Sequence, residues 1–288
     1  MDRDSGLVPS TSFPHLGGIT KMWITRSQAP AADTARAIAA AAGVLRAAQR
    51  VVVATGAGMS CESGIPTFRD ALTGLWARYD PEELATEAAF RRHPARVFGW
   101  YAWRRRLVRA ATPHPGYHAL VALERFVPEL VIVTQNVDGL HRRAGSRRVV
   151  ELHGSLDRFS CVDARHPFPA AAAPEPAEDT ECEPPSCPEC GAPVRPDVVW
   201  FGETLPAQAT AEAWDLAASC QAMLVVGTSG LVQPAAQLPF IARDGGATVI
   251  EVNPDPTDVS AAAHIICRGP AGVVLPALVA ALTEGAAT

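Results

Sequence analysis

Val51-Val52-Val53-Ala54-Thr55-Gly56-Ala57-Gly58 is the stretch on which the fold turns. Four apolar residues in a row, three of them β-branched, suit a strand buried on both faces; a strand with one wet face would alternate polar and apolar positions. The glycines behind it end the strand in a tight turn. Ahead of it, residues 33–49 form an Ala-rich segment broken by Arg36 and Arg46, which reads as an amphipathic helix. Downstream the same alternation returns. Helices are expected at 81–90, 94–110, 116–125, 206–219 and 234–243, with a closing helix after Pro270. Apolar strands are expected at 130–133, 149–152, 223–226 and 248–252.

Short apolar strands alternating with helices define an α/β fold with a doubly wound, parallel, Rossmann-like sheet. The segment 157–196 breaks the rhythm. It carries Pro167, Pro169, Pro174, Pro176, Pro184 and Pro185 among acidic residues, a density that excludes a regular helix or a central strand. It is expected to be a small cysteine-bearing insert with a floppy connection. The main domain then comprises 29–156 and 197–285. Residues 1–28, aperiodic and rich in Ser, Pro and Gly, are expected to be a disordered tail, with Met22 an alternative start.

The chain has 288 residues, 48% of them hydrophobic, enough for a full core. A net charge of −5 with no long basic run argues against a general nucleic-acid binder. No uncharged apolar run is long enough to span a bilayer, and no secretory signal pattern opens the chain. Seven cysteines, three of them between 182 and 190, suggest a metal site in a reducing compartment rather than a disulfide framework, so the cytoplasm is expected.

Ligands bind such sheets at the carboxyl ends of the strands. The residues there are Thr55-Gly56-Ala57-Gly58, Thr134-Gln135-Asn136-Val137-Asp138, His153-Gly154-Ser155, Gly227-Thr228-Ser229 and Asn253-Pro254-Asp255. Five polar or glycine-rich loops on one rim point to a binding site. Gly56 and Gly58 suit a phosphate-cradling turn with free amides. Cys61, however, stands where a dehydrogenase fingerprint requires a third glycine.

The longer stretch from Gly56 to Asp70, Gly-Ala-Gly-Met-Ser-Cys-Glu-Ser-Gly-Ile-Pro-Thr-Phe-Arg-Asp, closely resembles the NAD-binding signature of the sirtuins. Thr134 to His141, Leu152-His153-Gly154-Ser155, Phe201-Gly202-Glu203, Gly227-Thr228-Ser229 and Val252-Asn253-Pro254 resemble further sirtuin motifs, in the family's order. The resemblance covers about 30–285. It implies cleavage of the nicotinamide–ribose bond of NAD, through a cationic ribose, and transfer of an acyl group from lysine to ADP-ribose. Acylated-lysine proteins or peptides are the implied partners of a monomeric enzyme. Asn136 and Asp138 would hold nicotinamide and ribose, Gln135 the ribose, and His153 would act as the base on a ribose hydroxyl. Gly56, Ala57, Gly58, Glu62, Thr67, Phe68 and Arg69 fall in the cofactor loop. There Phe68 would shield the reactive ribose and Arg69 organise the pocket. Gly227, Thr228, Ser229 and Asn253 would meet phosphate or the adenosine ribose, and Ala271 the adenine edge.

Tyr101 and Arg104 stand three apart on one helix face. A Tyr-x-x-Arg at this place resembles the sirtuin subgroup that removes succinyl and malonyl groups. A forked, permanently charged donor with a phenol suits the far carboxylate of such an acyl chain. The competing expectation is a solvated basic face, since Arg105, Arg106 and Arg109 adjoin, and plain deacetylation. Val198-Val199-Trp200 and Phe201-Gly202-Glu203 resemble the strand that pairs with the substrate backbone, with acyl-lysine under Val198 and Phe201.

Sirtuins typically hold structural zinc with two Cys-x-x-Cys pairs. Here Cys187 and Cys190 form one pair, but Cys161 is followed by Ala164 in the partner position. Cys182 is taken as the fourth zinc ligand beside Cys161, Cys187 and Cys190, ahead of Asp163 or His166. Two rival functions stand against deacylation: mono-ADP-ribosyl transfer and a catalytically silent NAD or ADP-ribose sensor.

Overall fold

The computed structural model describes residues 32–66 and 80–284. Thr67, Phe68, Arg69 and the expected tail lie outside these residues. In chain order the elements begin with α1 (Ala32–Ala47), β1 (Arg50–Thr55), α2 (Pro81–Leu84), α3 (Glu87–Arg92), α4 (Pro94–Ala110) and α5 (Pro115–Leu123). Then come β2 (Glu129–Thr134), α6 (Leu140–Ala144), β3 (Val149–Glu151), β4 (Gly154–Cys161), β5 (Pro167–Phe168) and β6 (Val194–Val198). The chain closes with α7 (Ala207–Ser219), β7 (Ala222–Val226), α8 (Leu238–Asp244), β8 (Thr248–Asn253), β9 (Ile265–Arg268) and α9 (Ala271–Glu284).

Six parallel strands form the main sheet in the order β3-β2-β1-β7-β8-β9. The uninterrupted apolar runs are buried on both faces, as in β7, where every residue is buried. Val51, Val53, Leu224 and Ile250 pack one face against α1, α5 and α9. Val52, Val131, Met223 and Val249 pack the other against α7 and α8. The sheet is therefore doubly wound. Its switch point lies between β1 and β7, where successive crossovers leave in opposite directions. The edge strand β9 was not legible in the sequence, because four residues with one buried cysteine carry too little pattern.

The expected helix at 81–90 is two helices. Thr86 interrupts it by capping α3, its hydroxyl accepting from the Ala89 amide at 3.1 Å. A second, antiparallel sheet has the order β5-β4-β6. Its strands reach across the expected insert boundaries, 157 falling within β4 and 196 within β6. Pro196 is tolerated because β6 is an edge strand, with no second neighbour to receive an amide hydrogen. Helices α2, α3 and α4 share this sheet's core: Phe90, Val97, Phe98, Trp100 and Tyr101 pack with Leu156, Phe159, Val194 and Trp200.

The connection expected to be floppy is held down on α4. Cys182 donates its amide to the Ala95 carbonyl at 2.9 Å, and Arg96 pairs with Asp179 at 2.5 Å. Gly99 permits the approach: a Cβ there would stand 2.0 Å from the Thr180 carbonyl oxygen. Among the described residues no helix is long and apolar enough to cross a membrane.

Candidate active site

All strands of the main sheet run the same way, so the loops after β1, β2, β3, β7 and β8 meet on one rim. At the switch point two of these loops touch. Gly56 and Gly58 donate their amides to the carbonyls of Val226 (3.1 Å) and Gly227 (2.8 Å). This corrects the expectation that both amides are free for a pyrophosphate. The glycines are required by packing instead. A Cβ on Gly58 would lie 2.7 Å from the Gly227 carbonyl oxygen, and one on Gly56 2.8 Å from the Thr228 side chain. Gly227 itself has φ +60 and faces the Met59 amide, a place no larger residue fits.

Behind this junction the 3-10 helix Ala57–Ser63 carries Ser60 into a buried polar network. The Ser60 hydroxyl donates to Asp138 Oδ2 (2.6 Å) and accepts from Asn136 Nδ2 (3.0 Å). Its one hydrogen is thereby committed, so Tyr117, 2.8 Å away, donates to it. Asn136 also donates to the Gly56 carbonyl (3.0 Å), and the Asn136 amide donates to Thr134 Oγ1 (3.0 Å). Asp138 Oδ1 accepts from the Leu140 amide at 2.9 Å. Burial pushes the Asp138 carboxyl above its usual range, opposed by the bonds from Ser60 and Leu140. Neither Ser60 nor Tyr117 was singled out from the sequence. Ser60 lay inside a quoted motif, whereas Tyr117 reaches the site from a helix with no motif of its own.

Along the rim, Gln135 Nε2 donates to Thr228 Oγ1 (3.3 Å) and Asn253 Nδ2 to the Thr228 carbonyl (3.0 Å). Three of the expected cofactor residues are thus tied together. His153 follows β3 and places Nδ1 3.0 Å from the Gln135 carbonyl oxygen. Burial lowers the imidazole pKa below its ordinary value, partly offset by that bond. Glu62 Oε2 accepts from the Gly272 amide at 2.7 Å, pinning the start of α9 beside Ala271.

Tyr101 and Arg104 share one face of α4, and both are buried, at 5% and 6% exposure, whereas Arg106 and Arg109 are exposed. Arg105, expected on the solvated basic face, is also buried, on Asp157 and over the Phe159 ring, so that face is confined to Arg106 and Arg109. The Arg104 guanidinium carbon lies 4.7 Å from the Trp100 ring centroid and 5.7 Å from that of Tyr101. Burial raises the Tyr101 hydroxyl to about 12 and lowers Arg104 to about 10, so the first stays neutral and the second charged at neutral pH. The Asp138 carboxylate and the Arg104 guanidinium each favour the other's charged form, weakly beside the effect of burial. Trp200 and Val198 share the Tyr101 core, and Phe201 is 53% exposed at the rim. Gly202 turns the chain with φ +86. The Glu203 carboxylate faces inward onto fully buried Arg195 and accepts from the Trp200 amide at 2.8 Å, so it supports the turn that follows β6; the expected strand ends at Val198.

The metal expectation needs one correction. Cys161, His166, Cys187 and Cys190 gather with all ligand atoms within 4.8 Å of one another. Cys161 and Cys190 sulfurs are 3.6 Å apart, close to the edge of about 3.8 Å that Zn–S bonds of about 2.3 Å make in a tetrahedron. His166 Nδ1 stands 3.6 Å from Cys187 Sγ, while Nε2 faces Glu189 at 3.7 Å, as an outer carboxylate orients a ligating ring. His166 thus takes the place assigned to Cys182, whose segment is bound to α4. Three thiols and an imidazole fit a closed, structural zinc site.

The geometry defines an α/β protein with polar loops gathered at the switch point of a doubly wound sheet, as in dinucleotide-binding folds. The Sir2 family model matches residues 56–234, and the chain belongs to the Sir2 family. It is 52% identical to NAD-dependent protein deacylase 1 of Pseudomonas aeruginosa, over 82% of this chain and 95% of that one. It is also 52% identical to the NAD-dependent protein deacylase of Ralstonia nicotianae, over 87% and 99%. Solved structures agree. A mutant Sir2 homologue in complex with ADP-ribose matches with a TM-score of 0.79 at 42% identity, covering 86% of this chain and 97% of that one. A Sir2 homologue bound to NAD matches with a TM-score of 0.77 at 40% identity, covering 90% and 97%.

Proposed function

We propose that this chain is an NAD-dependent protein-lysine deacylase with a preference for acidic acyl groups, succinyl and malonyl, and a lesser activity on acetyl. The observation that carries it is the placement of the Ser60-held Asn136 and Asp138 and of His153 on one rim of the sheet, with Tyr101 and Arg104 both buried on one face of α4. NAD is the co-substrate. Asn136 and Asp138, held by Ser60, orient the nicotinamide and its ribose. His153, with Nδ1 engaged by Gln135, offers Nε2 to take a proton from a ribose hydroxyl. The acyl-lysine enters past Phe201 and Val198, and its far carboxylate meets the Arg104 guanidinium and the Tyr101 hydroxyl. Nicotinamide, O-acyl-ADP-ribose and free lysine are the products.

The zinc cluster, remote from these groups in function, would close the base of the small sheet and take no part in the chemistry. The same reading makes the protein a cytoplasmic monomer acting on acylated proteins, with neither nucleic acid nor membrane as partner.

The test is incubation with NAD and acetyl- or succinyl-lysine peptides. Equal yields of nicotinamide, O-acyl-ADP-ribose and free lysine support the reading. Nicotinamide with ADP-ribose fixed on protein would mark a mono-ADP-ribosyltransferase instead, and no nicotinamide at all a sensor.

A further inference from the structure

Arg165 is the one non-glycine residue with positive φ, +57, among the described residues. It stands in the loop that joins Cys161 to His166. That loop closes on itself: the Cys161 amide donates to the His166 carbonyl (2.9 Å), the Arg165 amide to the Cys161 carbonyl (3.2 Å), and the His166 amide to Cys161 Sγ (3.2 Å). The unusual backbone at Arg165 follows from this tight closure, which spans four intervening residues where two would stand in a Cys-x-x-Cys pair.

The Arg165 side chain leaves the loop and reaches Glu203, with Nη2 3.1 Å from Oε1. Glu203 is the hub of the 198–203 segment, read above as the peptide-binding one. It also holds Arg195 and accepts from the Trp200 amide. Arg195 in turn donates to the Val198 carbonyl at 2.6 Å and stacks over the Trp200 ring at 3.2 Å. One line of contacts therefore runs from the cysteine loop to Val198 and Trp200.

We infer that Arg165 is a positioning residue for acyl-peptide binding: the Cys161–His166 loop fixes its guanidinium on Glu203, and this contact sets where the 198–203 segment stands to receive the substrate. The inference rests on the reading of that segment as the peptide strand. Arg195 shares the task but is fully buried, so its replacement would damage the core. Arg165 is half exposed and can be changed without that cost.

Arg165→Gly separates the arm from the loop, because glycine accepts φ +57 without strain and carries no side chain. The zinc content and melting temperature of Arg165→Gly are measured first, then KM for NAD and for an acyl-peptide separately, with Arg165→Lys as the charge-keeping variant. The arm is a partly exposed ion pair, so the expected rise in peptide KM is about two- to fivefold. Zinc content, kcat and KM for NAD are expected to stay near wild type, and Arg165→Lys to recover most of the loss. An unchanged peptide KM in Arg165→Gly overturns the inference, as does an equal rise in both KM values, which marks general loosening. A wild-type protein that turns over no acyl-peptide overturns the deacylase reading itself, and this inference with it.

Discussion

His153 Nδ1 lies 3.0 Å from the Gln135 carbonyl oxygen. A carbonyl only accepts, so the ring proton resides on Nδ1 and the Nε2 lone pair is left for substrate. Gln135 itself is tied to Thr228, so the loop after β7 indirectly sets the orientation of the base.

Burial lowers the His153 pKa below its ordinary value of about 6.5. The base works only when neutral. Activity is therefore lost as pH falls through the folded pKa, and the acid limb of kcat/KM is expected below about 6.5. A limb at higher pH would count against His153 as the base. His153→Tyr is expected to remove deacylation while leaving the melting profile in place.

Arg104 and Tyr101 are expected to decide the acyl group. Arg104→Met deletes the charge that meets a far carboxylate, and should lower kcat/KM for succinyl-lysine about 10-fold or more relative to acetyl-lysine, the scale of about 2 kcal/mol for a charged hydrogen bond. Tyr101→Phe should act in the same sense but less. A succinyl/acetyl ratio unmoved by Arg104→Met would remove the carboxylate-reading role.

Metal analysis separates the two candidate fourth ligands. His166→Ala and Cys161→Ser are each expected to purify with well under one zinc per chain and to unfold more easily, since a closed site contributes directly to folding. Cys182→Ser is expected to retain a full equivalent. The opposite pattern would restore Cys182 to the ligand set.

His141 makes the fold sensitive to acid. It is 2% exposed, its Nε2 is 2.9 Å from Thr55 Oγ1, and burial lowers its pKa to about 3. The unfolded chain takes up this proton near pH 6.5 and the folded chain does not. Stability is therefore full above that value and falls as pH drops toward 3, by up to about 1.4 kcal/mol per pH unit. Urea unfolding at pH 7 and pH 5 should show this slope in the wild type and a shallower one in His141→Asn. Equal slopes would mean that His141 is protonated or accessible in the folded state.

Val51-Val52-Val53-Ala54 and its counterparts state a doubly buried strand by themselves, because only a parallel sheet covered on both faces accommodates such runs. The family motifs named Asn136, Asp138 and His153, and α4 periodicity paired Tyr101 with Arg104. Other features were not legible. Gly56 and Gly58 looked like open phosphate amides, yet they are glycines because another loop presses on them. Thr86 split a helix whose apolar pattern ran on.

Sequence alone determined the sheet type, the rim on which function gathers and the family, since these rest on local periodicity and short contiguous motifs. Only the tertiary structure decided that Ser60 and Tyr117 hold the Asn136–Asp138 pair, that His166 rather than Cys182 joins the cysteines, and that Arg104 is buried while Arg106 is not. Those are contacts between residues distant in the chain or choices between neighbours of like chemistry. They depend on how helices and loops pack, which no local pattern encodes.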